Sequence, residues 1–137
     1  MSANTVLRWI PDGKGFVSTD STGHSVVLST SDENIGMKPS ELILSALAGC
    51  TSVDVVGILA KKKTPLSYLE VEVSAEQDAD PPWTFRKIHM NFKLKGKGLT
   101  EKNVQQAIDL SEEKYCSVGA TLRGVAEITT HYTILED

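Results

Sequence analysis

The sequence predicts an α+β fold in which two long helices cover mostly antiparallel sheets. Three observations carry that prediction. Residues 39–60 form an apolar run with the marks of one long helix, and two later stretches alternate apolar and polar residues with a period of two. The element order is strands, helix, strands, helix, strand, with no repeat and no linker, so a single domain over residues 1–137 is expected.

The first strands are short. Residues 5–10 (Thr-Val-Leu-Arg-Trp-Ile), 16–19 and 24–28 read as strands separated by the turn chemistry of Pro11-Asp12-Gly13-Lys14-Gly15 and Asp20-Ser21-Thr22-Gly23, an antiparallel meander. A polar loop over residues 29–38 leads to the long helix. Pro39 suits the first helical position, where its missing N–H is no loss, and Glu41 puts negative charge at the positive end of the helix dipole. Lys61, Lys62 and Lys63 complement the other end, and Thr64-Pro65 stops the run. Apolar and small residues appear almost all round this helix, which predicts that it is enclosed on most sides.

Leu69, Val71, Val73 and Ala75 alternate with acidic and polar residues, and Ile88, Met90, Phe92 and Leu94 alternate with Lys87, His89, Asn91 and Lys93. Each pattern is a half-buried strand. The second helix starts at Thr100, a good N-cap, with Leu99 and Val104 placed for a hydrophobic staple. Its apolar stripe is Val104, Ala107, Ile108, Ser111 and Tyr115, and it runs out near Cys116-Ser117-Val118-Gly119. A final strand alternates through Ala126, Ile128, Thr130, Tyr132 and Ile134. Trp9 and Trp83 read as core or interface residues.

Composition narrows the function. A net charge of −4 and a pI near 5.4 argue against nucleic acid as a partner, because such domains carry a basic face. The N-terminus has neither a basic region nor an apolar core of a signal peptide. The long helix approaches the length of a membrane span, but Asp54 near its centre and the hydroxyls of Ser45, Thr51 and Ser52 favour a buried helix of a soluble, cytoplasmic protein. Two cysteines in such a chain read as reactive or reduced rather than as a staple.

Chemistry concentrates on Cys50, a thiol half-way along the central helix. CxxC and zinc spacings are absent, and both thiols can also be read as small buried hydrophobes. Two details favour reactivity. Cys50 is flanked by Ala48, Gly49 and Thr51, which leaves room for a ligand, and Asp54 lies one turn on, on the same face. A carboxylate there opposes a thiolate unless a cation offsets it; otherwise Asp54 is a structural hydrogen-bonding residue. The arginines are Arg8, Arg86 and Arg123. His24, His89 and His131 fall on turns or polar strand faces and receive no role.

Pro39-Ser40-Glu41-Leu42 leading to Ala48-Gly49-Cys50, followed by Cys116-Ser117-Val118 after a helix, resembles the OsmC/Ohr family over nearly the whole chain. The resemblance implies an intertwined homodimer with interfacial sites that reduces organic hydroperoxides, with Cys50 peroxidatic and Cys116 resolving. It also implies a glutamate and an arginine at the site. The family's glutamate directly follows the proline, where Ser40 stands here. Glu41 is one residue later, about 100° round the helix, as in the YhfA-like branch, where an aspartate also follows the cysteine as Asp54 does. Arg8 is the nearest match by position to the family's N-terminal arginine, and Asp54 and Leu47 are the expected substrate-binding positions.

The expected reaction needs no metal, flavin or nicotinamide cofactor. Cys50 attacks a hydroperoxide, Cys116 closes a disulfide, and an external dithiol reduces it. A second class of function stays open: a non-catalytic small-ligand-binding or redox-sensing protein, in which the cysteines pack or sense.

Overall fold

The computed structural model describes residues 1–136, in two compact units that divide within the long helix: Met1–Ile43, and the chain from Leu44 onward. The first unit is a three-stranded antiparallel meander of β1 (Val6–Trp9), β2 (Phe16–Thr19) and β3 (Ser25–Leu28), in the order β1-β2-β3. The register pairs Val6 with Thr19 and Phe16 with Leu28. The first turn closes through Ile10 N–H donating to the Gly15 carbonyl at 2.8 Å. Gly15 has a φ of +77°, and an added Cβ there would stand 2.5 Å from the Leu28 carbonyl oxygen, so only glycine fits. The polar loop before the helix folds on the buried Ser29, whose Oγ accepts from the Ile35 and Gly36 N–H groups.

Helix α1 spans Pro39–Lys61, with Glu41 in its first turn. Its C-terminus departs from the usual glycine cap. Lys63 takes a φ of 63°, Thr64 N–H donates to the Leu59 carbonyl, and Lys63 N–H to the Ala60 carbonyl, a Schellman-type ending built on a lysine.

In the second unit β4 (Tyr68–Gln77) and β5 (Phe85–Lys95) pair antiparallel, and β6 (Glu127–Ile134) lies parallel to β5 on its other side. Parallel neighbours cannot be joined by a hairpin, so the chain between β5 and β6 crosses over. That crossover is α2 (Glu101–Leu110), a π-helical turn (Ser111–Tyr115) and α3 (Ser117–Leu122). The α+β class is therefore as the sequence predicts, but the second long helix is not one helix: it opens into the π turn, ends at Cys116 and restarts.

The core of this unit gathers Leu47, Val55 and Leu59 of α1, Ile88, Met90, Phe92 and Leu94 of β5, and Val104, Ala107 and Ile108 of α2, with Cys116 among them. The strand alternation is as expected through Val73, with the Glu70, Glu72 and Lys87 side in water, but Ala75, expected on the apolar face, is exposed near the end of β4. Thr100 caps α2, its side chain accepting from Asn103 N–H at 3.1 Å. Val104, Ala107, Ile108 and Ser111 are buried, but Tyr115 is 57 % exposed. Helical spacing puts Tyr115 on the stripe; the π turn adds a residue to the last turn and rotates it off.

Two expectations about burial fail. Only Leu47, Thr51, Val55 and Leu59 of α1 are fully buried, every fourth residue, because one small sheet and its crossover cover a single stripe. Val53 and Val56 remain exposed, so in the single chain α1 is not enclosed on most sides. By length and composition α1 would be able to cross a membrane, but its buried stripe is the centre of the second unit's core. Trp9 and Trp83 are both mostly exposed, so the core half of their reading fails.

Candidate active site

The π turn delivers Cys116 to Cys50. In an ordinary helix the residue at 116 would donate to the carbonyl four back; here Cys116 N–H reaches the Ser111 carbonyl, five back, at 2.8 Å. Cys116 then leaves helical geometry (φ −82°, ψ 99°) and becomes the N-cap of α3, its Sγ accepting from Gly119 N–H at 3.3 Å. Thr51, next to Cys50 on α1, donates its hydroxyl to the same sulfur at 3.6 Å. The two thiols are free and lie near one another.

Their surroundings push their ionisation in opposite directions. Burial raises the pKa of Cys50, but the Val118 N–H, the Cys116 S–H, the Ser117 hydroxyl and the Ser117 N–H outweigh it and leave the thiol below its ordinary value. Burial raises Cys116 further, as does its service as donor to Cys50; Thr51 and the Gly119 N–H oppose this without overcoming it. The half-buried Cys50 is thus the more acidic sulfur, and Cys116, 3 % exposed, is the proton holder. A pair so arranged has one nucleophile and one partner within reach of it.

Asp54 is one turn from Cys50, as its spacing requires, and accepts a 2.7 Å hydrogen bond from the Ser111 hydroxyl. It joins α1 to the start of the π turn, in line with its reading as a structural hydrogen-bonding residue. Leu47 is 1 % exposed and sits under the pair, close to Gly119. Further along α1 lies a groove of about 470 Å³ lined by Asp54, Gly57, Ile58, Lys61 and Lys62, with Leu110 and Tyr115; neither cysteine is among its walls, and Asp54, one turn from Cys50, is its nearest lining residue in sequence. A Cβ added at Gly49 would meet nothing within 4 Å, so the approach beside Cys50 is open, as its small neighbours suggest.

Glu41 and Arg8 belong to the first unit. Glu41 is exposed and 3.2 Å from Lys38 Nζ, and Arg8 is exposed on β1 opposite Val17. In the second unit Arg86 is held by both oxygens of Asp78, at 3.0 and 3.1 Å. His24 and His89 make hydrogen bonds with the hydroxyls of Thr22 and Thr129. Sequence reasoning missed Ser117 and Val118 as donors. Their main-chain N–H groups have no signature in residue identity, although small residues following Cys116 are what a helix restart there would use.

This is the fold of an OsmC-like protein: the chain belongs to that family, whose match, described as OsmC-like protein, covers residues 30–131. Among its relatives, protein YhfA of Escherichia coli K12 is 32 % identical over 94 % of this chain and 96 % of its own length. The crystal structure of an OsmC-like protein from Mycoplasma pneumoniae superposes with a TM-score of 0.83 at 17 % identity, over 99 % of both chains. The organic hydroperoxide resistance protein OhrB of Bacillus subtilis shares the fold with a TM-score of 0.62 at 16 % identity, over 97 % of this chain and 98 % of that one.

Proposed function

We propose that the chain reduces organic hydroperoxides by thiol chemistry at Cys50, with Cys116 as the resolving cysteine. The observation that carries this reading is the asymmetry of two neighbouring thiols: the surroundings of Cys50 lower its pKa, while burial and Cys50 raise that of Cys116. The Cys50 thiolate attacks the distal peroxide oxygen. The O–O bond breaks, the alkoxide takes up a proton and leaves as an alcohol, and Cys50 becomes a sulfenic acid. Cys116 then attacks the Cys50 sulfur, a disulfide forms and water leaves. An external dithiol reduces that disulfide and completes the cycle, which suits the cytoplasm, where such reductants are kept reduced. The groove further along α1, with Gly57, Ile58, Leu110 and Tyr115 among its walls, suits the organic part of the peroxide and supports it over hydrogen peroxide. The organic hydroperoxide resistance for which the Bacillus subtilis neighbour is named supports the same class.

The working form in this proposal is a homodimer. Val53 at 75 % and Val56 at 44 % exposure leave an apolar strip on α1 that water does not favour and a second copy would cover. Sedimentation giving a monomer at micromolar concentration would count against this part. The central test is cumene hydroperoxide consumption with a dithiol. Wild-type protein is expected to turn over repeatedly, and no consumption by reduced, folded protein overturns the proposal.

A further inference from the structure

Cys116 must lose its proton before it can attack, yet burial and its neighbour both hold the proton on. One cation stands beside it. An added Cβ at Gly119 would stand 3.2 Å from Arg123 Nη2 and 3.3 Å from Cys116 Sγ, with Leu47 Cδ1 at 3.6 Å. The guanidinium and the sulfur therefore flank the same small space, and Gly119, itself buried, is what keeps it clear. Arg123 closes α3, where its N–H donates to the Gly119 carbonyl at 3.0 Å, so its backbone is fixed relative to the N-cap one helix away. Its charge also reaches Glu112 of the π turn. Burial raises this half-buried carboxyl's pKa, and the nearby charge of Arg123 pulls it down, against Asp109 and Glu113. Arg86, the second unit's other arginine, is occupied by Asp78.

We propose that Arg123 is a positioning residue for the resolving step: its guanidinium, which shares the bare face of Gly119 with Cys116, favours the Cys116 thiolate as it attacks Cys50. The inference rests on the thiol-pair reading above. In that step the Cys116–Cys50 sulfur bond forms, the sulfur–oxygen bond of the Cys50 sulfenic acid breaks, and the departing hydroxide leaves as water with the proton that Cys116 gave up. The groups facing Cys116 are then Cys50 and Thr51 from α1, the Gly119 N–H and Arg123 from α3 and its end, and Glu112 through Arg123. Asp54 is turned to Ser111.

The test uses 5,5′-dithiobis(2-nitrobenzoate), which needs no peroxide. Reaction at Cys50 releases one thionitrobenzoate and leaves a mixed disulfide; attack by Cys116 on the Cys50 sulfur closes the protein disulfide and releases the second. Cys116→Ser is expected to show the first release only. In Arg123→Met the first release is expected to keep its rate within twofold, while the second slows about tenfold at neutral pH and its pH midpoint rises by about one unit. Arg123→Lys is expected to recover most of that rate, and the difference should shrink at high salt, since the guanidinium is exposed. A second release within twofold of wild type in Arg123→Met, or one slowed equally at every pH, overturns the proposal. Failure of the wild type to consume cumene hydroperoxide overturns the peroxidase reading and leaves this thiol-exchange test standing.

Discussion

The middle of α1 and the corner between the π turn and α3 present the same functional group in two conditions. Cys50 sits on a regular helix, half-buried, with donors converging on it from outside its own element. Cys116 sits where a helix breaks, almost fully buried, and spends its S–H on its neighbour. Both are penalised by burial, so burial does not decide which is the nucleophile. The groups beside each do: those near Cys50 outweigh its burial, whereas the Thr51 hydroxyl and the Gly119 N–H do not outweigh that of Cys116.

The largest effects follow from removing either sulfur. Cys50→Ser is expected to abolish hydroperoxide consumption with the fold retained, since sulfur to oxygen changes little volume. Cys116→Ser is expected to complete one turnover and stop, with a sulfenic acid at Cys50 that dimedone traps. Sustained turnover by the Cys50 variant would break the assignment outright.

Next comes the donor set. Ser117 is the first residue of α3, and Cys116 before it is extended, the conformation that tolerates a following proline. Ser117→Pro removes the hydroxyl and an N–H together while suiting the helix start. The Cys50 pKa then rises toward the ordinary thiol value, and iodoacetamide labelling at neutral pH should slow by about tenfold, the effect of one pKa unit. The sign follows from the folded state: a thiol held below its ordinary pKa is ionised over a pH range where a free one is not, and that range narrows as donors are lost. Unchanged labelling would mean that the donors do not set its acidity.

Thr51→Val sharpens the other side of the comparison. Thr51 is fully buried and its hydroxyl is one of two groups lowering Cys116, so its loss should raise that thiol further and slow disulfide closure by a few fold, with Cys50 labelling nearly unchanged. The smallest effect is expected from Arg8→Met. The groups near Cys50 already outweigh its burial, so labelling should change by less than about twofold, within the small range of exposed surface charges. A tenfold slowing there would make Arg8 the cation that the family resemblance implies.

What can be read from the chain follows the range of each interaction. The α1 boundaries, the alternation of β4 and β5, and the Thr100 cap are written in neighbouring side chains and are found where the sequence puts them. The cysteine pair is visible only through motif resemblance, because nothing local says that residues 50 and 116 meet. The π turn is not visible. Ser111-Glu112-Glu113-Lys114-Tyr115 has good helix formers, and its extra residue per turn is a main-chain choice set by docking on α1, through Ser111 on Asp54. The donors on Cys50 are hidden for the same reason, and Arg123 is one of three arginines with no spacing to single it out.

The parallel pairing of β5 and β6 has a consequence for how the chain comes to be reactive. β6 pairs with β5 across the whole of α2, the π turn and α3, so this pairing has high contact order, a kind of contact that slows folding. Cys50 emerges from the ribosome long before Ser117 and Val118, with none of the groups that acidify it. A nascent or unfolded chain therefore carries two ordinary thiols, little disposed to oxidation at neutral pH. The rate at which Cys50 gains its labelling advantage during refolding should report the closing of the crossover beside it, which makes that single sulfur a built-in clock for this step.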